Sequence, residues 1–211
     1  FISEKQIMPN KIEFINAFSK KKFRLKYKNF STYPASKFNT PVLSKTIINN
    51  KVILSGEINI KKTKIYNDIV EIKPGTNFFI ENGSSIIFKN KIIALGTKEK
   101  PITFKKTELK EWGVVALQGS HTTNSILDNI VFDGGSGAIY RNIKYTGALS
   151  IHDTKNITIS NITMKNNSKY DDMIHIVYVD NIQLKNIHIK DSFMDAIDID
   201  MSSDVKIKNV K

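Results

Sequence analysis

Hydrophobic and polar residues in the second half of the chain alternate in short runs, and the runs repeat. Asn156-Ile157-Thr158-Ile159-Ser160-Asn161-Ile162-Thr163-Met164 matches Asn181-Ile182-Gln183-Leu184-Lys185-Asn186-Ile187-His188-Ile189 at an offset of 25 residues. A further copy, Asp204-Val205-Lys206-Ile207-Lys208-Asn209-Val210, follows at an offset of 23. Leu127-Asp128-Asn129-Ile130-Val131-Phe132 precedes the first copy by 32, with residues 134–145 as a looped insertion. Period-two alternation predicts strands with Ile157, Ile159, Ile182, Leu184, Val205 and Ile207 inside and their neighbours outside. A repeat in the low to mid twenties, built of short strands, is the size of one β-solenoid coil. Leucine-rich repeats share this period, but they need a Leu-rich consensus and a helical half-turn, and neither is visible.

An asparagine recurs between the two strand pieces of each copy: Asn129, Asn161, Asn186 and Asn209. Asparagine tolerates the left-handed backbone of a sharp bend, and stacked amides can hydrogen-bond from coil to coil. Asn156 and Asn161 also open Asn-x-Thr triplets. A place in a ladder makes both poor glycosylation acceptors.

From Val52 to Phe104 the chain reads as short strands broken at Ser55-Gly56, Asn67-Asp68, Pro74-Gly75, Asn82-Gly83 and Lys89-Asn90. It continues as Ala94-Leu95-Gly96-Thr97-Lys98-Glu99-Lys100-Pro101-Ile102-Thr103-Phe104 and then Trp112-Gly113-Val114-Val115. These residues resemble the opening coils of bacterial right-handed β-helix proteins of the pectin-lyase-like superfamily. The resemblance implies an all-β chain folded as a right-handed parallel β-helix of secreted or surface type. It implies an extracellular, periplasmic or cell-surface location as well. It does not select an activity, because the superfamily holds lyases, hydrolases, epimerases, adhesins and phage tail proteins. The expected organisation is a basic N-terminal segment over residues 1–50, capping the solenoid, followed by coils over residues 51–211. The coils are expected to be incomplete at the C-terminal end, since nothing near Lys211 reads as a closing cap.

Charge refines this division. The net charge is +12, yet residues 1–64 hold 14 Lys or Arg against 3 acids, whereas residues 65–211 hold 18 against 17. The basicity is N-terminal, and Phe23-Arg24-Leu25-Lys26-Tyr27-Lys28 alternates as a half-buried strand with a solvated lysine face. Nucleic acid is therefore not the expected partner. The chain has no cysteine, which excludes disulfides and thiolate metal sites. No apolar run approaches the roughly 20 residues of a transmembrane helix.

Candidate chemistry follows from the coil register. Leu149, Ile174 and Ile197 align, as do Ile151, Ile176 and Ile199, all facing inward. Between them Ser150, His175 and Asp198 stack outward, and His152, Val177 and Asp200 stack one step further on. Asp172 aligns with Asp195, and Asp171 lies beside it. With coils about 4.8 Å apart, this predicts one outward stripe of His152, His175, Asp171, Asp172, Asp195, Asp198 and Asp200. Like charges at that spacing destabilise a sheet unless bridged or used. The stripe could hold an acid/base pair for sugar chemistry, coordinate Ca²⁺ through its carboxylates, or form a solvated polar face. His121 reads as a turn residue, His188 as surface, and Trp112 as core cover. No phosphate loop, zinc spacing or nucleophile elbow is present.

Met194-Asp195-Ala196-Ile197-Asp198-Ile199-Asp200-Met201-Ser202-Ser203-Asp204-Val205 resembles a coil of polygalacturonase-type glycoside hydrolases and of mannuronan epimerases. Phe193-Met194 and Ala196 stand where those repeats carry Asn-Thr and Gly. The resemblance implies a catalytic carboxylate at Asp195. Two expectations result. In one, the chain is part of a polysaccharide-processing enzyme acting on an acidic glycan by hydrolysis, lysis or epimerisation. Asp195 and Asp198 are then the acid/base candidates, Asp172 and His175 support them, and His152, Asp200 and Asp171 contact substrate. In the other, it is a non-catalytic surface solenoid that binds glycan or spaces further coils and domains.

Overall fold

The computed structural model describes residues 12–15, 19–25, 50–167 and 171–211. The chain divides into two compact units, Phe1–Ile47 and Ile48–Lys211. Within the first, strand Ile12–Ile15 pairs antiparallel with Lys22–Leu25, Phe14 opposite Phe23. The rest of the predicted alternating strand, Lys26 to Lys28, and most of the expected cap lie outside the described residues.

The second unit is a parallel β-helix, the all-β solenoid expected from the repeats. Its strands stack coil on coil into three parallel faces. The first face carries Lys51–Leu54, Ile69–Ile72 and Ile92–Leu95, and then the matching parts of the longer strands Ile126–Asp133, Gly147–Lys165, Asp172–Lys190 and Ser203–Val210. Past a bend, the second face stacks Glu57–Ile60, Asn77–Ile80 and Ile102–Lys106 under the continuations of those long strands. The third face stacks Lys64–Tyr66, Ile86–Phe88, Val115–Gln118, the opening residues of the two longest strands, and Ile197–Asp200.

The inward side chains make one continuous core. Phe78, Phe104 and Phe132 share a column on the second face. Their rings stack with centroids 4.6 and 4.9 Å apart, nearly parallel. Met164 and Ile189 continue that column in later coils. Trp112 is fully buried and donates its indole N–H to the Asp133 carbonyl at 2.8 Å, so it covers core as expected. Val205 is half-buried, but Ile207, expected inside, is 47% exposed. It sits in the last coil of the chain, which has a neighbour on one side only.

The bends are made by left-handed residues. Asn129, Asn161, Asn186 and Asn209 have φ between 51° and 56°, which a short polar side chain tolerates better than most. Asn209 donates its side-chain N–H to Asn186 Oδ1 at 3.0 Å and Asn186 to Asn161 Oδ1 at 2.9 Å. The expected ladder ends there. Asn161 donates to Asp128 Oδ1 at 2.7 Å, so a carboxylate replaces Asn129 as its acceptor. A second ladder joins Asn181 to Asn156 at 2.9 Å.

Candidate functional site

The third face places the candidate residues in columns. One outward column runs Ile65, Ile87, Ala116, Ser150, His175, Asp198. The next runs Gln118, His152, Val177, Asp200. The pairings predicted from the repeat offsets therefore hold for Ser150, His152, His175, Asp198 and Asp200. The first column is apolar at one end of the face and ionisable at the other.

The predicted insertion accounts for this gradient. Ala138–Tyr140 and Ile143–Tyr145 form an antiparallel hairpin. Its apolar residues Ala138, Tyr140, Ile143 and Tyr145 pack with Ile65, Ile87, Val114 and Ala116 into a second hydrophobic cluster. The fully buried Tyr145 donates its O–H to Gln118 Oε1 at 2.8 Å, and Lys89 Nζ donates to the same oxygen. Burial pushes the Tyr145 hydroxyl up to about 12, with Asp153 and Tyr140 adding to the rise.

Tyr145 also keeps part of the stripe from solvent. Its ring lies over His152 with centroids 5.1 Å apart, and His152 is only 5% exposed. Ser150, Asp172 and His175 are buried too. Asp171 and Asp198 are half-buried, and Asp195 and Asp200 are exposed. The outward direction follows from the strand register, but the covering layer decides what solvent reaches.

His152 Nε2 lies 3.3 Å from His175 Nδ1, with the rings edge to face. Burial, and then the charge of His175, hold His152 down at about 4, so it is neutral at pH 7. His175 turns its other nitrogen, Nε2, to Asp200 Oδ2 at 3.5 Å. One ligand atom each from His175, Asp198 and Asp200 fall within 4.8 Å of one another.

Asp172 opens its strand opposite Gly147. Ala148 and Met173 pack into the core beside Leu149 and Ile174, so two consecutive residues point inward and the alternation slips by one. The slip puts Gly147 and Asp172 on the outward side. A Cβ at Gly147 would come within 2.7 Å of the His175 backbone nitrogen, so only glycine lets the two coils close here. The Asp172 carbonyl accepts the Asn167 side-chain N–H at 2.7 Å, but both carboxylate oxygens are buried with no hydrogen bond of ordinary geometry, the Thr146 hydroxyl lying beside them. Burial pushes this carboxyl up, and Asp171 and Asp198 add to the shift. The Thr146 hydroxyl and His175 pull it the other way.

Asp195 stands apart from the His175–Asp198–Asp200 group. Its backbone N–H donates to the Asp171 carbonyl, and its carbonyl accepts from Met173 N and Ser192 Oγ. The side chain itself is exposed. His121 lies in a short 3-10 turn, exposed, and His188 is exposed on the second face.

Two features escaped the sequence reading. Tyr178 follows Val177 of the outward column, is 56% exposed, and holds φ 53°. A bulky residue in that conformation is strained. With Ser120, Asp153, Lys155 and Asp180 it lines a groove of about 310 Å³ beside the stripe. The second is the Tyr145 cover. The signal for it was the alternation of Ala138-Ile139-Tyr140 and Ile143-Lys144-Tyr145 within the presumed loop.

No protein-family model matches the chain, and no curated protein matches it. Among solved structures, the chain is similar to a candidate glycosyl hydrolase from Parabacteroides merdae ATCC 43184. The two are 11% identical, the match covers 74% of this chain and 80% of that one, and the TM-score is 0.38. A likeness of that degree carries no activity across. Among the described residues, no helix is long and apolar enough to cross a membrane.

Proposed function

We propose that the third face of the solenoid binds a polysaccharide along its length and moves protons at a sugar ring held over Asp172 and Asp198. The observation that carries this reading is one buried carboxyl, short of hydrogen bonds, beside a half-exposed one. Carboxyls in contrasting environments divide the work of acid and base, the buried one keeping its proton and the wetter one accepting. In this reading Asp172 is the acid, Asp198 the base, and His175 with Asp200 orients Asp198. Asp195, Asp171 and His152 lie at the rim or beneath. The resemblance of residues 194–205 to polygalacturonase and epimerase coils supports an acidic glycan as substrate, and it supports a secreted or surface location.

The test is product release from a panel of uronic-acid polymers, followed as reducing ends and as unsaturated products. Asp172→Asn and Asp198→Asn should each lower the rate by roughly 10²- to 10⁴-fold, and Asp195→Asn by much less. Full activity in Asp172→Asn would remove that residue from the mechanism.

Tyr178 favours a second reading, non-catalytic glycan binding. An exposed aromatic ring among carboxylates offers a stacking surface for a sugar. Retardation of the chain in glycan-containing gels, abolished by Tyr178→Ala with no product from any polymer, would select it.

A further inference from the structure

We propose that His175, Asp198 and Asp200 bind a divalent transition-metal ion, with Asp172 as a buried negative charge behind the site. The ion uses groups of the proposed sugar site but does not require that sugar chemistry occur there.

Three observations lead to this. The first is convergence: a nitrogen and two carboxylate oxygens from adjacent coils lie within 4.8 Å of one another, and small side-chain rotations bring them onto one ion. Asp198 is half-buried and Asp200 exposed, so both can rotate.

The second is Asp172. It is 1% exposed, its oxygens make no hydrogen bond of ordinary geometry, with only the Thr146 hydroxyl beside them, and it feels the charges of Asp198 and His175. A buried carboxylate left unpaired costs several kcal/mol. A cation among these groups supplies the missing partner.

The third is the orientation of His175. Its Nδ1 faces His152 Nε2 at 3.3 Å, and a proton on Nδ1 donated to His152 leaves Nε2 with a free lone pair. Nε2 is the atom that faces Asp200. Imidazole ligands are commonly fixed in this way, by a partner on the nitrogen away from the metal. His152 is thus a positioning residue.

The donor set decides the class of ion. Calcium takes oxygen ligands, about six to eight of them, whereas one imidazole with two or three carboxylates suits Zn²⁺, Mn²⁺ or Co²⁺. The imidazole therefore moves the choice away from the Ca²⁺ suggested by the carboxylates alone. With the ion bound, its charge favours the ionised form of Asp172, so proton transfer by Asp172 and metal binding belong to different states of one site.

The experiment is calorimetric titration of the untagged 211-residue chain with Zn²⁺, Mn²⁺ and Ca²⁺, without glycan. One Zn²⁺ per chain is expected, bound about 100-fold or more tighter than Ca²⁺. His175→Ala should weaken it by about 100-fold and His152→Ala by roughly 10- to 100-fold. His121→Ala and His188→Ala should leave it unchanged. Asp200→Asn alters an exposed side chain, so it should keep the fold, checked by circular dichroism, and still lose roughly tenfold. No saturable Zn²⁺ binding by the folded chain, binding indifferent to both His175→Ala and Asp200→Asn, or tighter Ca²⁺ than Zn²⁺ would each overturn the proposal. Because binding is read without sugar, its failure is distinct from failure of the proton-transfer reading, which is scored on polymer products.

Discussion

The third face presents two regions built on the same ladder. In the earlier coils its outward column reads Ile65, Ile87, Ala116, and in the later coils Ser150, His175, Asp198. The inward column beside it stays apolar throughout: Tyr66, Phe88, Leu117, Ile151, Ile176, Ile199. Inward positions are held to one chemistry by the shared core, while outward positions are free to differ. Where they are apolar, the chain's own hairpin covers them. Where they turn polar the cover thins along the column: Ser150 and His175 are still buried, and Asp198 is half-buried. The boundary falls at Tyr145 and His152, and that is where the candidate site begins.

Breaking the part common to both regions should have the largest effect. Phe104→Ala opens a hole in the middle of the ring column and should cost about 3–5 kcal/mol. Denaturant unfolding would read this as one loss shared by both regions. A loss confined to one region would show that the coils do not unfold together.

Asp172→Asn tests the polar end and should act in the opposite direction. It removes a buried unpaired carboxyl and should raise stability at pH 7 by about 1–3 kcal/mol, even as it removes product formation. Its pH dependence has a definite sign. Asp172 has a raised folded pKa, so the folded state holds its proton longer than the unfolded state does. Its effect is a loss of stability as pH rises above the ordinary 3.8. His152 is shifted the other way, from 6.5 to about 4, so the unfolded chain binds its proton first. That costs stability as pH falls from about 6.5 towards 4. His152→Asn should therefore flatten the acid side of the stability profile, and Asp172→Asn the side above pH 4. Unchanged slopes in both variants would remove these groups from the acid–base balance.

Smaller effects separate the bends from the cover. Asn186→Ala forces alanine to φ 56° and breaks two ladder bonds, and should cost about 1–2 kcal/mol. Asn186→Gly keeps the bend and should cost less. Tyr145→Phe loses the hydrogen bond to Gln118 but keeps the packing, and should cost about 1 kcal/mol. Equal losses for Asn186→Ala and Asn186→Gly would show that the amide bonds, and not the backbone, hold the bend.

The fold was legible because the coil offsets of 25 and 23 are fixed by physical stacking. Matching Asn156–Met164 to Asn181–Ile189 was in effect reading the hydrogen-bond register. The columns through Ser150, His175 and Asp198 followed from that register without any knowledge of contacts. What could not be read was depth. Alternation says which way a side chain points from its own strand, but His152 is buried by Tyr145, which arrives from an insertion outside the repeat. The register puts Asp172 on the outward stripe, but its depth was not legible for a related reason: it is 1% exposed, at the point where the slip at Ala148 and Met173 breaks the period. Tyr178 was passed over because its left-handed backbone lies at a bend where neighbouring coils carry Asp153 and Met201.

The hairpin joins the coil at the bend between the second and third faces, where no ladder partner is displaced by extra residues. That coil is 32 residues long by its register on the first face, against 25 and 23 for those that follow. Length at this bend is thus a heritable variable uncoupled from the core. Insertions there can shield one stretch of the face, and deletions can uncover it, while every inward side chain stays in place. A lineage of such solenoids could gain or lose a working surface by a single indel, provided that the outward residues it uncovers turn polar as well.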